Sequence, residues 1–466
     1  MSKPNIILMM CDDLGYGDTG FNGNPIIRTP FLDQMAQEGA AFTRFHSGAP
    51  VCSPTRGTCL TGRHHYRYGI TTANNGRLPR EEITLAKALR SLGYATGHFG
   101  KWHLGTLTTE IRDGRRGGPA HPELYSPPWE HGFERCFSTE VQVPLWDPMV
   151  NQKFPCKYWH EDGSFAETNL AGDDSRVIMD RVIPFIENAA AADKPFFAVV
   201  WFHAPHADVV AGDEYRQLYS ENSEDEQHYY GCITAMDEQV GRLNRMLKSS
   251  GLEQNTVIWF CSDNGPEGKE GNLSGRNRGS TGGLRGRKRS LFNGGITVPA
   301  LVKWPEYIQP GTTLDLPCST LDFFPTLTAA TGYEMPDSRP LDGVDLLPYF
   351  QGEMTRRPKP IPYRFVSSKS GMAGSPTFGV IDNEWKLLTN FSGDGTDDMV
   401  FNVVEDPYEQ HNLIDEQRTF ALNRKEWLHD LLDHFMRSHY GGDYDDEAKY
   451  EPVNEFICNE QTWTEE

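Results

Sequence analysis

The chain has 466 residues, 38% of them hydrophobic and 11% aromatic, with a formal net charge of −21. That is the composition of a soluble globular protein long enough for two or three domains. The acidity argues against nucleic acid as a partner, and no apolar run approaches the ~18 residues needed to span a bilayer. The opening MSKPNIILMMCDD runs straight into a buried strand, so no signal peptide is expected. The chain is read as cytoplasmic, or as periplasmic or secreted where a leader has been removed. Nine cysteines without close pairs or C-x-x-C spacing suggest neither a disulfide framework nor a zinc site.

In chain order, short apolar runs at 5–11, 94–100, 196–203, 256–262 and 298–304 read as strands buried on both faces, because they lack polar alternation. Helical periodicity falls between and after them, at 29–39, 84–93, 175–190, 224–251 and 319–332. Thr84 and Ser319 are expected N-caps, and Gly93, Gly251 and Gly332 expected stops. This alternation predicts an α/β catalytic domain over 1–355, with a large, mostly parallel sheet sandwiched by helices. The basic, proline-rich GEMTRRPKPIP near residue 355 reads as a linker. Residues 356–466 are expected to form a smaller α+β unit, with an antiparallel sheet, a helix over 418–437 and an acidic tail.

Charge is unevenly placed along the chain. Between Gly39 and Arg80 there are six arginines and no acid, and Lys269 to Arg289 holds seven basic residues against Glu270. A cationic pocket in an acidic protein would concentrate a small anion. In an open parallel sheet, ligands bind beyond the carboxyl ends of the strands. Each run there delivers polar residues: Asp12-Asp13 after the first, Lys101-Trp102-His103 after the second, Ala204-Pro205-His206 after the third, and Asp263-Asn264-Gly265 after the fourth. Three carboxylates and an amide oxygen make a hard oxygen cage suited to Ca²⁺ or Mg²⁺ rather than zinc.

The stretch APVCSPTRGTCLTGRHHYRYG (49–69) sets Cys52 just before an expected helix, with Pro54 in a first-turn position and Arg56 one turn on. An oxyanion at such a place faces unpaired N–H groups and the positive end of the helix dipole. CSPTRG, together with MMCDDLGYGD, GKWHLG, HAPH, SDNGPEG and LRGRKRSLFNGGITVPALVKWP, resembles the type I sulfatase family of the alkaline phosphatase superfamily. The likeness runs in order from Asn5 to about Pro305, and VVEDPYEQHNL (403–413) resembles that family's C-terminal domain.

The resemblance implies a sulfuric ester hydrolase in which a maturation enzyme, acting on the unfolded chain, oxidises Cys52 to formylglycine. One hydroxyl of the hydrated aldehyde would attack sulfur, and the other would drive release of sulfate; a serine would stop after one transfer. It also implies Ca²⁺, in preference to Mg²⁺, held by Asp12, Asp13, Asp263, Asn264 and an oxygen of residue 52. Arg56 would brace the nucleophile, Lys101 and Lys288 would neutralise the sulfate, His103 would pair with the formylglycine hydroxyls, and His206 would protonate the leaving oxygen. His203 is read as a structural residue at a strand end. Ser138 matches a sulfate-contacting position. Many members carry an acid where Asn293 precedes Gly294-Gly295, a position read as supporting the loop.

Residues 104–170 form a long, irregular insert rich in Trp, Tyr, His and Arg. Such a segment suits a binding wall for a sulfated sugar. Trp146, Asp147 and Arg115 are its candidate substrate contacts. The expected substrate is therefore a sulfated oligosaccharide. Two other readings remain: a phosphonate monoester or phosphodiester hydrolase of the same superfamily, and a non-catalytic relative that binds sulfated glycans.

Overall fold

The computed structural model describes residues 3–269, 271, 273–366, 375–391 and 396–437, with side chains as far as residue 431. In chain order the first part of the chain contributes strands β1 (Asn5–Cys11), β2 (Ala40–Phe42), β3 (Phe45–His46), β4 (Ala95–Lys101), β5 (Arg135–Thr139), β6 (Phe196–Trp201) and β7 (Thr256–Ser262). It continues with β8 (Ala300–Lys303), β9 (Thr312–Leu314) and β10 (Cys318–Ser319). Eight of these form one sheet in the order β5-β4-β6-β1-β7-β8-β2-β9, while β3 and β10 pair separately. Every pairing from β5 across to β7 is parallel, β8 runs antiparallel to both β7 and β2, and β9 is parallel to β2.

The central strands are buried along nearly their whole length and mainly apolar, because helices cover both faces. Ile7 and Met9 share one face with Ala198 and Val200, under Val177 and Val182 of the Asp174–Ala191 helix and Ile233 and Met236 of the Glu224–Ser249 helix. Ile6, Leu8 and Met10 share the other with Val199, Trp201 and Trp259, under Leu85 and Leu89 of the Leu85–Ser91 helix and Phe324 of the Phe323–Thr331 helix. Thr84 caps its helix, its hydroxyl accepting from Lys87 N at 3.2 Å. Ser319 caps a single turn, Thr320–Asp322, that leads into the Phe323–Thr331 helix.

The antiparallel sheet that follows runs β11 (Ile361–Arg364), β12 (Phe378–Asp382), β13 (Trp385–Thr389) and β14 (Met399–Asn402), in that order. One of its faces, with Ile361, Tyr363, Ile381 and Phe401, packs on Val51, Leu291, Phe292 and Ile296. The Arg418–Arg437 helix follows, and its Ala421 meets Leu387 and Val400. The acidic tail beyond 437 and Glu270 lie outside the described residues. The eight described cysteines are buried and unpaired, and no described helix is long and apolar enough to cross a membrane.

Candidate active site

Because β1, β4, β6 and β7 are parallel neighbours, their carboxyl ends open on one edge of the sheet. Asp12 and Asp13 follow β1, Lys101 ends β4, and Asp263 and Asn264 follow β7. Backbone bonds register these ends: Asp263 N to Cys11 O at 3.1 Å, and Asp12 N to Ala204 O at 3.1 Å. The Cys52–Thr61 helix is set against them. Val51 is its N-cap and Cys52 its first residue, so the cysteine lies inside the helix rather than just before it. Its first-turn N–H groups have no intrahelical acceptor, and Pro54 is tolerated for the same reason. Burial pushes the Cys52 thiol up from its ordinary pKa, with Lys101 and Lys288 pulling the other way.

Three cations interleave with three carboxylates. Arg56 Nη2 donates to Asp263 Oδ2 at 2.8 Å and its Nη1 to Lys101 O at 2.9 Å. Lys101 Nζ lies 2.5 Å from Asp12 Oδ2. Lys288 Nζ sits 2.6 and 2.8 Å from the two oxygens of Asp13. The Lys288 loop is drawn in by close backbone packing: Gly265 N donates to Gly295 O at 2.9 Å, and a Cβ on Gly265 would meet Gly294 O at 1.9 Å. Asn293 anchors the same loop, its amide donating to Pro407 O and accepting from Lys386 Nζ at 2.8 Å.

The donor set fits a hard divalent cation. Asp12 Oδ1 and Asn264 Oδ1 are buried acceptors with no hydrogen-bond partner, a state native structures rarely leave uncompensated. Ligand atoms of Asp12, Cys52 and Asp263 lie within 4.8 Å of one another, as do those of Asp12, Asp13 and His206. Asn264 Nδ2 donates to Asp13 Oδ1 at 2.7 Å, which turns its carbonyl oxygen away from that bond. Oxygen ligands of this kind suit Ca²⁺ or Mg²⁺.

The two histidines flank this group. His206 Nε2 is 3.7 Å from Asp13 Oδ2, and its Nδ1 donates to Ala207 O at 2.7 Å. Burial lowers the His206 pKa, opposed by Asp12 and Asp13. His103 Nε2 is bonded to Asn74 Oδ1 at 2.9 Å, while Nδ1 is buried without a partner. Burial, then Lys101 and Arg116, holds His103 well below the usual imidazole range.

The remaining candidates lie around this centre. Ser138 is buried, its hydroxyl bonded to His98 Nδ1 at 2.7 Å and its backbone paired with Trp159, so it is not brought to the carboxylates. The insert holds the edge strand β5 rather than only irregular chain. Arg115 N donates to Glu140 Oε2 at 2.9 Å, and Glu140 O accepts from His103 N at 3.1 Å. Its guanidinium stacks 4.6 Å from the Phe154 ring centroid. Trp146 is half-buried edge-on to Tyr215, and its neighbour Leu145 bonds Asp208, two residues beyond His206. Asp147 is turned inward, Oδ1 accepting from Gly172 N at 2.6 Å. Sequence reasoning missed Asn74, Thr139 and Asp174, which join the site's surroundings through contacts between residues distant in the chain.

Residues 4–333 match the Sulfatase family, and residues 286–436 match the family described as N-sulphoglucosamine sulphohydrolase, C-terminal. The chain belongs to the sulfatase family, and with it to the alkaline phosphatase superfamily. It is a sulfuric ester hydrolase. It is 32% identical to N-acetylgalactosamine-6-sulfatase of Sus scrofa, over 76% of this chain and 67% of that protein. It is 31% identical to arylsulfatase A of Bos taurus, over 89% and 84%. Among solved structures, Ps i-CgsB in complex with k-i-k-neocarrahexaose superposes with a TM-score of 0.78 at 25% identity, covering 95% of each chain. The phosphonate monoester hydrolase of Agrobacterium radiobacter shares the fold at a TM-score of 0.59 and 19% identity, covering 93% of this chain and 96% of that one.

Proposed function

We propose that the chain hydrolyses a sulfate ester on a sulfated carbohydrate, with residue 52, matured to formylglycine, as nucleophile. Ca²⁺, in preference to Mg²⁺, would be held by Asp12, Asp13, Asp263, Asn264 and an oxygen of residue 52. The observation that carries this reading is the convergence of the Cys52 thiol, at a helix N-terminus, with Asp12 and Asp263 between Lys101 and Lys288. When bound, the cation lowers the nucleophile's pKa and polarises the sulfate; the hydrated aldehyde supplies both the attacking and the releasing hydroxyl.

The rest is work for the chain's own side chains. Lys101 and Lys288 neutralise sulfate oxygens, which a lone acidic cage would repel. Arg56 fixes the ends of β4 and β7 through Lys101 O and Asp263. His103 Nδ1, the unpartnered nitrogen, takes a proton from a hydroxyl on residue 52. His206 Nε2, 3.7 Å from Asp13 Oδ2, gives a proton to the leaving alcohol oxygen. The carbohydrate reading is supported by the insert, whose Glu140 O accepts from His103 N and whose Leu145 N donates to Asp208 O, two residues beyond His206. It is supported too by N-acetylgalactosamine-6-sulfatase, a relative named for a sulfated sugar, and by the likeness to Ps i-CgsB, whose structure holds k-i-k-neocarrahexaose.

Mass spectrometry of the peptide containing residue 52, after co-expression with a maturing enzyme, tests the nucleophile. Thiol alone in active protein would overturn it. Cys52→Ser should give at most one sulfuryl transfer per molecule, and sustained turnover would refute the two-hydroxyl argument.

A further inference from the structure

Behind the site lies a chain of polar side chains that the proposed reaction does not use. Tyr158 Oη donates to Asp174 Oδ1, His203 Nδ1 donates to Asp174 Oδ2 at 2.8 Å, and His203 Nε2 lies 2.7 Å from Thr139 Oγ1. All four residues are 0% exposed. Burying an imidazole and a carboxylate carries a desolvation cost that apolar residues of similar volume would avoid, so packing alone does not account for them.

Their placement gives them a task. The sheet order β5-β4-β6 sets β4 between the strands that the His203–Thr139 bond joins. That bond therefore crosses the end of β4, where Lys101 leads into Trp102 and His103. Thr139 O accepts from Trp102 N at 2.9 Å, and Glu140 O from His103 N at 3.1 Å. At the other end, His203 O accepts from His206 N at 2.8 Å. The carbonyls that hold both active-site histidines thus belong to the bonded pair or its immediate neighbour.

We propose that His203, Asp174 and Tyr158 are positioning residues that hold the His206 turn in register with the strand end carrying His103. The inference rests on the reading of His206 as the proton donor to the leaving group. A donor displaced by a fraction of an ångström loses most where the proton matters most, on a poor leaving group such as a sugar alcohol. An aryl oxide leaves with little protonation and tolerates the displacement.

The test uses metal-loaded, matured enzyme with a sulfated sugar and p-nitrophenyl sulfate as paired substrates. Tyr158→Phe removes one hydroxyl at nearly constant shape, and His203→Gln removes the ring. On the sugar sulfate, kcat is expected to fall ~10-fold and ~100-fold respectively, with KM within ~2-fold and the aryl sulfate affected less than ~3-fold. In a His206→Ala background, His203→Gln should change the ratio of the two rates no further. Equal losses on both substrates, or lowered thermal stability with an unchanged ratio, would overturn the proposal. If His206→Ala itself leaves the ratio unchanged, the donor assignment falls and takes this inference with it. If His206→Ala shifts the ratio and neither other variant does, only the positioning role falls.

Discussion

Arg56 Nη2 donates to Asp263 Oδ2 at 2.8 Å and reaches Asp12 Oδ2 at 3.5 Å, with all three side chains fully buried. The guanidinium also lies 5.1 Å from the Trp201 ring centroid, so its plane is held from a second side. A lysine cannot reproduce that fork. Arg56→Lys keeps the charge and loses only the fork, whereas Arg56→Met removes one partner of the buried ion pairs and should destabilise the metal-free protein by about 3–5 kcal/mol. Urea unfolding measures this, and Ca²⁺ should recover part of the loss by neutralising the same carboxylates.

The unpartnered oxygens of Asp12 and Asn264 predict that the cation stabilises the fold independently of turnover. At a hundredfold excess over Kd, a ligand that binds only the folded state adds about 2.7 kcal/mol. Thermal melts after exhaustive chelation should therefore shift upward on adding Ca²⁺. Asp12→Asn and Asn264→Ala should each shrink that shift. A melting temperature indifferent to chelator and Ca²⁺ would show the carboxylate cage to have been misread.

Buried parallel strands announce themselves as unbroken apolar runs, and for this reason β1, β4, β6 and β7 were legible in the sequence. The residues just beyond them were legible as neighbours for the same reason, and the structure brings Asp12, Asp13, Lys101, Asp263 and Asn264 together at one sheet edge. The short strands β2, β5 and β9 were not, because three to five residues carry too little pattern to separate from loop. The antiparallel course of β8 was hidden as well: Ala300–Lys303 reads the same in either direction, and only its pairing with Trp259 and Phe260 fixes it. His203 was legible as a structural residue, but its partners Asp174 and Thr139 come from segments whose meeting depends on the whole sheet.

Lys386 and Glu409 give a prediction with a pH sign. They are fully buried, 2.7 Å apart, and Glu409 Oε2 also accepts from Asn293 N at 2.6 Å, so the pair ties the C-terminal sheet to the Lys288 loop. Burial pushes the Glu409 carboxyl up against the opposing pull of Lys386, and burial pulls Lys386 down against Glu409. Lys386→Met removes the cation paired with the carboxylate, leaving Arg285, and should raise Glu409 further. A carboxyl raised in the folded state holds a proton that the unfolded chain has released. Stability is then lost as pH rises from the unfolded value towards the folded one. The variant's deficit should be about 3–5 kcal/mol at pH 8 and smaller at pH 5. Denaturant titrations at the two pH values check the sign, and an equal deficit at both would contradict it.

The insert yields the prediction on substrate. Glu140 receives Arg115 N and pairs with Arg116 Nε at 3.0 Å, and its carbonyl holds His103. The Arg115 backbone is thereby tied, through Glu140, to the strand end that carries His103. On the reading of the insert as a sugar-binding segment, an oligosaccharide extending from the site would be met by Arg115 and Trp146, a guanidinium reading an anion and an indole stacking on a sugar face. A small aryl sulfate fills the centre alone and reaches neither. Arg115→Ala should therefore raise KM for a sulfated oligosaccharide by about 10-fold, the worth of one charge-assisted contact, and leave p-nitrophenyl sulfate nearly unchanged. Steady-state kinetics on a panel of sulfated oligosaccharides and aryl sulfates decides the matter. The reading fails if no sulfated sugar is turned over with a higher kcat/KM than the aryl ester, or if Arg115→Ala affects both substrates alike.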